Sequence, residues 1–345
     1  MGIEVTGKNK EDMAWQFFDK NLNREKDPEE IRRLNSSIVI FDMERKSISI
    51  TTPDKKTTTL DNMGIWKGDE FYKTGSIEVA VIDDMRGLHG ITVTNILKKD
   101  NPNLSISTFN NMSDDMLNPL QKLWKNLFEK IEENPAFQNF ILRKENDNLR
   151  KIYSSIYESM LPEDLTLKRM SYALDNVSKE MKNGKNFKAV NMSFSVDMTY
   201  SDINKLCRNE IGEEITPENI AKHRMKIKEI LERTAKENKD LDVFEPRYGG
   251  VQKLSNMVEV LKKTENLKIP AYIAQCYVGS GQEVVNILAL ADNAIPVGSP
   301  AEGVSNNSLG TKKEVAVHFV GDEVTVGSTS FATPVVMARE LREKK

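Results

Sequence analysis

The sequence predicts an α/β fold in which a parallel sheet is covered by helices. Two observations carry this reading. From about residue 75 onward short apolar runs alternate with segments of helical periodicity, which is the signature of strand–helix–strand units. The apolar runs are also continuous, as strands buried on both faces require.

Taken in order, "IEVAVID" (77–83) is the first buried strand and "GITVTNILKK" (90–99) the helix that follows it. "LSISTF" (104–109) is the second strand. "LTLKRMSYALDNVSKEM" (165–181) leads into the third, "FKAVNMSFS" (187–195), and "VQKLSNMVEVLKK" leads into the fourth, "PAYIAQCYV" (270–278). Within that last helix Leu254, Met257, Val258 and Leu261 keep the three-and-four spacing of one apolar face. "NAIPVGS" (293–299) is the fifth strand, and "FATPVV" opens a final helix.

Two helical segments interrupt the alternation, at about 113–160 and 200–245. The first places Met116, Leu120, Leu123, Trp124, Leu127, Phe128 and Ile131 on one face, and the second offers Thr216 as a cap before Pro217. Both read as insertions that pack on the sheet domain or flank its binding edge. Residues 1–74 form an N-terminal extension, with a charged amphipathic helix at about 10–33 and a hairpin over "SSIVIFDMERKSISITT".

Composition excludes several classes of function. With 49 basic and 52 acidic residues and a net charge of −3, the chain lacks the basic footprint of a nucleic-acid binder. No apolar run reaches membrane-spanning length, and the start carries no basic region followed by an apolar core. "MGIEVT" matches a myristoylation pattern formally, and its acidic context reads as chance. Cys207 and Cys276 are too few for a disulfide framework. These features point to a cytoplasmic protein, or to one exported without a cleaved secretory signal. They leave the oligomeric state open.

The chemistry concentrates at three places. "VGSTSFATPVV" (326–336) sets Ser328, Thr329 and Ser330 ahead of a helix, where a hydroxyl either caps the first turn or serves as a nucleophile beside backbone donors. His89 opens the helix after the first strand, six residues beyond Asp83, so a tight turn brings imidazole and carboxylate into hydrogen-bonding reach. A buried carboxylate that orients an imidazole, which in turn takes a serine proton, makes a hydroxyl nucleophilic near neutral pH. Asp84 is the alternative carboxylate, but strand alternation turns it away from the face of Asp83. His223 and His318 read as structural.

The order Asp, His, Ser resembles that of the subtilisin-like serine proteases, a case that serves as a standard illustration of convergent triads. "VAVIDD" resembles the family's aspartate strand, "LHGITVTNIL" its histidine helix and "GSTSFATP" its nucleophile motif. "AVNMSFS" is similar to the strand that binds substrate edge-on. "LSNMVEVLKKTENLKIPAYIAQCYVG" is similar to the helix and strand leading to the oxyanion asparagine.

The resemblance runs from about residue 75 to 340 and implies a subtilisin-like catalytic domain that cleaves peptide bonds through an acyl-enzyme. It assigns Asp83 as the orienting carboxylate, His89 as general base and then acid, and Ser330 as nucleophile. Ser193, Phe194 and Ser195 would hold an extended polypeptide substrate through their backbone. It implies no cofactor for the chemistry, leaves calcium open, and places residues 1–74 where family members often carry a propeptide.

Three departures stand out. Only five residues separate Asp83 from His89, the chain ends soon after the serine helix, and "AQCY" puts Tyr277 where the oxyanion asparagine is expected, with Gln275 as a possible substitute. The alternative implied is a degenerate relative that binds or regulates without useful turnover.

Overall fold

The structure, a computed structural model, describes residues 65–85, 88–141, 164–216, 219–245, 250–274, 284–297, 316–320 and 329–343. It also describes five strands before residue 61 and single positions between 146 and 156. Tyr277, Gln275, Cys276 and Ser328 lie outside the described residues.

In the N-terminal region β1 (Trp15–Phe17) pairs antiparallel with β2 (Ile31–Arg33). Strands therefore stand where sequence periodicity suggested one helix over 10–33. Pro28, between them in sequence, lacks the N–H that a helix interior needs and disfavours one unbroken helix over this span. The expected hairpin forms from β3 (Ile38–Asp42) and β4 (Ser47–Thr51), extended by β5 (Thr57–Leu60). The short helix α1 (Asp69–Tyr72) already belongs to the sheet domain, since Tyr72 is buried in its core.

The main sheet begins with β6 (Ile77–Asp83), α2 (Leu88–Asp100) and β7 (Leu104–Asn110). After β7 come α3 (Pro119–Glu132) and α4 (Pro135–Ile141), then α5 (Leu165–Lys182) and β8 (Val190–Met192). The second insertion carries β9 (Asp197–Thr199), α6 (Tyr200–Ile211), α7 (Ile220–Glu237) and β10 (Asp242–Glu245). The chain continues through β11 (Gly250–Lys253), α8 (Leu254–Asn266) and β12 (Ala271–Ala274). It then runs through β13 (Val284–Asn286), a buried 3₁₀ turn at Ile287–Leu290 and β14 (Ala294–Val297). It closes with β15 (Ala316–Val320) and α9 (Thr329–Glu343). β15 pairs parallel with β3, so the two ends of the chain share a sheet.

Five strands form one parallel sheet in the order β14-β12-β8-β6-β7. All five correspond to apolar runs read from the sequence. Alternation splits their side chains between two cores. Val79 and Val81 pack with Val93, Ile96 and Leu97 of α2 and with α9, while Ala80 and Ile82 face α5 and α8. The result is three layers, helix over sheet over helix.

Strand order fixes where a ligand can enter. From β6 the chain crosses to β7 on one side, and from β7 it returns through α5 to β8 on the other side of β6. A crevice opens at the carboxyl ends of strands where the order reverses in this way. Both insertions leave and rejoin the domain at that edge. The first departs after β7 ends at Asn110, and the second departs after β8 ends at Met192.

One expectation about the insertion is corrected. Leu120, Leu123 and Leu127 of α3 are exposed, whereas Lys125 is buried and ion-paired with Asp114 and Glu129, and Arg169 of α5 also pairs with Asp114. Among the described apolar residues of this segment only Leu117 and Phe128 are buried. The α3 anchor is electrostatic, so the helix periodicity identified an apolar face without showing that it is covered. In the second insertion α7 begins at Ile220, three residues beyond Pro217, with Asn219 as its N-cap.

Candidate active site

Asp83 is the last residue of β6 and lies on the α2 face of the sheet by alternation with Val79 and Val81. Its side chain is 4% exposed, against 40% for His89, and its Oδ1 stands 2.8 Å from His89 Nδ1. The buried carboxylate thus holds one ring nitrogen and leaves the imidazole open toward the cleft. Oδ1 also accepts from the backbone N–H of Asp84 at 2.7 Å, a second contact that holds the carboxylate at the turn.

The turn between Asp83 and His89 closes tightly because of Gly90. A Cβ built there would lie 2.6 Å from the Asp84 carbonyl oxygen and 2.9 Å from its carbon. Backbone atoms cannot step aside cheaply, so only glycine lets α2 start this close to the strand end.

Ser330 reaches the same cleft from the other side. It is the second residue of α9, and Phe331 beside it packs against the His89 ring, centroid to centroid 5.1 Å. Pro334 lies inside α9 four residues on, so the Ser330 carbonyl has no helical N–H to accept from. Ser193 Oγ supplies that donor at 2.8 Å, and the Ser330 hydroxyl donates to the Ser193 carbonyl at 3.2 Å. Thr329, the neighbouring hydroxyl, is buried, and its carbonyl accepts from Thr333.

Ser193 follows directly on the pair Ile82↔Met192, where the β6–β8 pairing ends, while Asp83, one step on, still pairs with Asn110 of β7. β8 is a central strand held by β6 and β12 through Met192, so Ser193, Phe194 and Ser195 lie past its end rather than on an open edge. Their backbone is partly engaged already. Besides the Ser193 carbonyl, the Phe194 carbonyl accepts from Asn286 Nδ2 at 3.3 Å. The Ser195 hydroxyl donates to Asp197 at 2.8 Å.

Asn286, which holds the cleft-lining residues Phe194 and Val196 through their backbone, is a residue that motif reading missed. Buried in the run "VVNILALA", it accepts from the N–H groups of Val196 and Leu288 and donates to the carbonyls of Phe194 and Ala274. It thereby ties the floor of the cleft to the end of β12, where the chain leaves toward residues 275–283. A polar residue alone in an apolar run is the sequence signal that could have found it, because a buried amide is retained only where its hydrogen bonds are met.

Together Asp83, His89, Ser193, Phe194, Ser195 and Ser330 line one cavity of about 520 Å³. Asp84 also lines it. Asp164 forms part of the far wall in a left-handed backbone conformation, φ 53°, and its carboxylate accepts from Lys253 N at 2.8 Å and Asn256 Nδ2 at 2.6 Å. It ties the start of α5 to that of α8.

Of the remaining candidates, His223 of α7 pairs with Glu213 in the loop before that helix and does not line the cleft, and His318 lies in β15. The Cys207 thiol is buried, and that burial, with Glu210 nearby, pushes it up to about 12. Among the described residues no three His, Cys, Asp or Glu side chains converge as a metal would require, and no helix is long and apolar enough to cross a membrane.

Comparison with family models, with characterised proteins and with solved structures finds no match to this chain.

Proposed function

We propose that the chain is a serine endopeptidase of subtilisin-like type, in which Ser330 Oγ attacks a peptide carbonyl to form an acyl-enzyme. The observation that carries this reading is the 2.8 Å contact between the buried Asp83 carboxylate and His89 Nδ1, in a cleft that also holds Ser330 at a helix start. Asp83 keeps the imidazole in the tautomer whose Nε2 accepts a proton. His89 takes the Ser330 proton during attack and returns it to the leaving amine, after which a water repeats the sequence in reverse. Negative charge on the carbonyl oxygen is met by the Ser330 N–H and the amino end of α9. A second donor would come from the Gln275–Tyr277 stretch.

One observation favours a second reading, a binding protein with the same architecture. The Ser330 hydroxyl donates to the Ser193 carbonyl, which must be given up before His89 can take the proton.

A fluorophosphonate probe separates the two readings, since an activated serine displaces its fluoride and is phosphonylated without needing a peptide. The expected outcome is labelling of the wild-type protein that disappears in Ser330→Ala and survives in Ser328→Ala and Thr329→Ala. Retained labelling in Ser330→Ala, or none in the wild type, would reject the assignment.

A further inference from the structure

Asn191 is the middle residue of β8 and is fully buried, 0% exposed, in the parallel sheet. Its register partners Val81 and Tyr272 belong to the core beneath α2 and α9, so its side chain points to that layer, while Val190 and Met192 point to the other. Two features of its carboxamide leave hydrogen bonds unmet. Oδ1 stands 2.9 Å from Ser193 Oγ, which is also 2.8 Å from the Ser330 carbonyl oxygen. Nδ2 has no hydrogen-bond partner. A hydroxyl carries one proton, so Ser193 serves one of these acceptors and leaves the other without, beside a buried NH₂ that donates to nothing.

Turning the carboxamide end for end meets both needs. The two orientations have the same shape, and the hydrogen-bond network decides between them. With Nδ2 toward Ser193 the amide donates to Oγ, and the hydroxyl proton goes to the Ser330 carbonyl, so one bond becomes two. The group left over is then an oxygen, and an unpaired buried acceptor is less rare than an unpaired N–H. The Ser330 carbonyl needs this donor because Pro334 denies it a helical one.

We propose that Asn191 is a positioning residue for the candidate nucleophile. Its Nδ2 donates to Ser193, whose hydroxyl holds the Ser330 carbonyl and so fixes the first turn of α9 at the end of β8. Asn191 itself does not line the cleft and acts only through this relay. The inference rests on the reading of Ser330 as a nucleophile.

The test is the second-order rate of fluorophosphonate labelling of the full chain, comparing Asn191→Leu and Asn191→Asp with wild type from about pH 5 to 9, a range that spans the titration of a buried carboxyl. Leucine fills a similar volume and donates at no pH. It should label on the order of tenfold more slowly throughout, because a small displacement of a reacting group lowers its rate steeply. Aspartate keeps the shape of asparagine, and burial raises its carboxyl above the ordinary value of about 3.9. Ionised, it only accepts and draws the Ser193 proton away from Ser330. Protonated, it donates again. Its rate relative to wild type should therefore be low in alkali and recover as pH falls, and the ratio cancels the titration of His89 that both proteins share.

Labelling of Asn191→Leu at the wild-type rate would overturn the inference, since removing a mere acceptor would release the Ser193 proton to Ser330. An Asn191→Asp ratio that stays low throughout the acid range would do the same. Should the leucine variant not melt cooperatively, the aspartate variant decides alone: recovery in acid supports the relay and a flat ratio rejects it. A wild type that fails to label ends the protease reading and this role with it, whereas wild-type labelling with indifferent variants ends this role alone.

Discussion

Ser193 and Ser330 hold each other by two reciprocal hydrogen bonds, each hydroxyl donating to the other residue's carbonyl, at 2.8 and 3.2 Å. The pair exists because Pro334 denies the Ser330 carbonyl its helical partner. A helix defect four residues away thus docks the candidate nucleophile onto the end of β8.

This arrangement predicts a coupling. Ser193→Ala should cost about 1 kcal/mol or more in urea unfolding, because it strands the Ser330 carbonyl. In a Pro334→Ala background the new N–H takes over that carbonyl, and the same substitution should cost clearly less. Additive effects in the double-mutant cycle would show that Pro334 is not the cause.

Gly90 makes a sharper prediction about geometry. Gly90→Ala drives a methyl to within 2.6 Å of the Asp84 carbonyl oxygen, so the start of α2 must shift and take His89 with it. A displacement of about 1 Å can lower turnover on the order of a hundredfold. Fluorophosphonate labelling should slow in step while the variant still melts cooperatively. Labelling at the wild-type rate in a folded variant would contradict the role given to this turn.

On the proposed protease reading, the oxyanion donor sets the efficiency of turnover. If Tyr277 replaces the expected asparagine without donating, turnover is depressed on the order of 10²–10³. Tyr277→Asn should then raise peptide turnover, and Tyr277→Phe should leave it nearly unchanged. Loss of most activity in Tyr277→Phe would identify the phenol as the donor instead.

Acid should loosen the first insertion before the rest of the domain. Burial pushes the Asp114 carboxyl up, but Arg169 and Lys125 outweigh it and hold the carboxyl below its ordinary value. A depressed folded value contributes stability that is complete above the unfolded value of about 3.9 and is lost as pH falls through the folded one. Hydrogen exchange of 113–141 should therefore accelerate below about pH 4. Asp114→Asn should show the loosened state already at neutral pH and a flatter acid response. Identical profiles for the two proteins would refute the anchor.

The five strands, the helices between them and the carboxylate–imidazole pair were legible in the sequence, because burial on both faces demands continuous apolar runs and a short turn leaves Asp83 and His89 few places to go. The N-terminal region was read less well, since charge periodicity imitated a helix where β1 and β2 form.

What the tertiary structure alone decided depends on contacts between distant residues. Strand order placed the crevice between β6 and β8, and packing determined that α3 buries Lys125 while exposing Leu120, Leu123 and Leu127. It also brought Ser193 to Ser330 and Asn286 to the cleft floor across 137 and about 90 positions of chain. Local periodicity records which face of an element is apolar. Which partner meets that face, and which polar group meets a carbonyl freed by a proline, is settled only when the whole chain satisfies its buried hydrogen bonds at once.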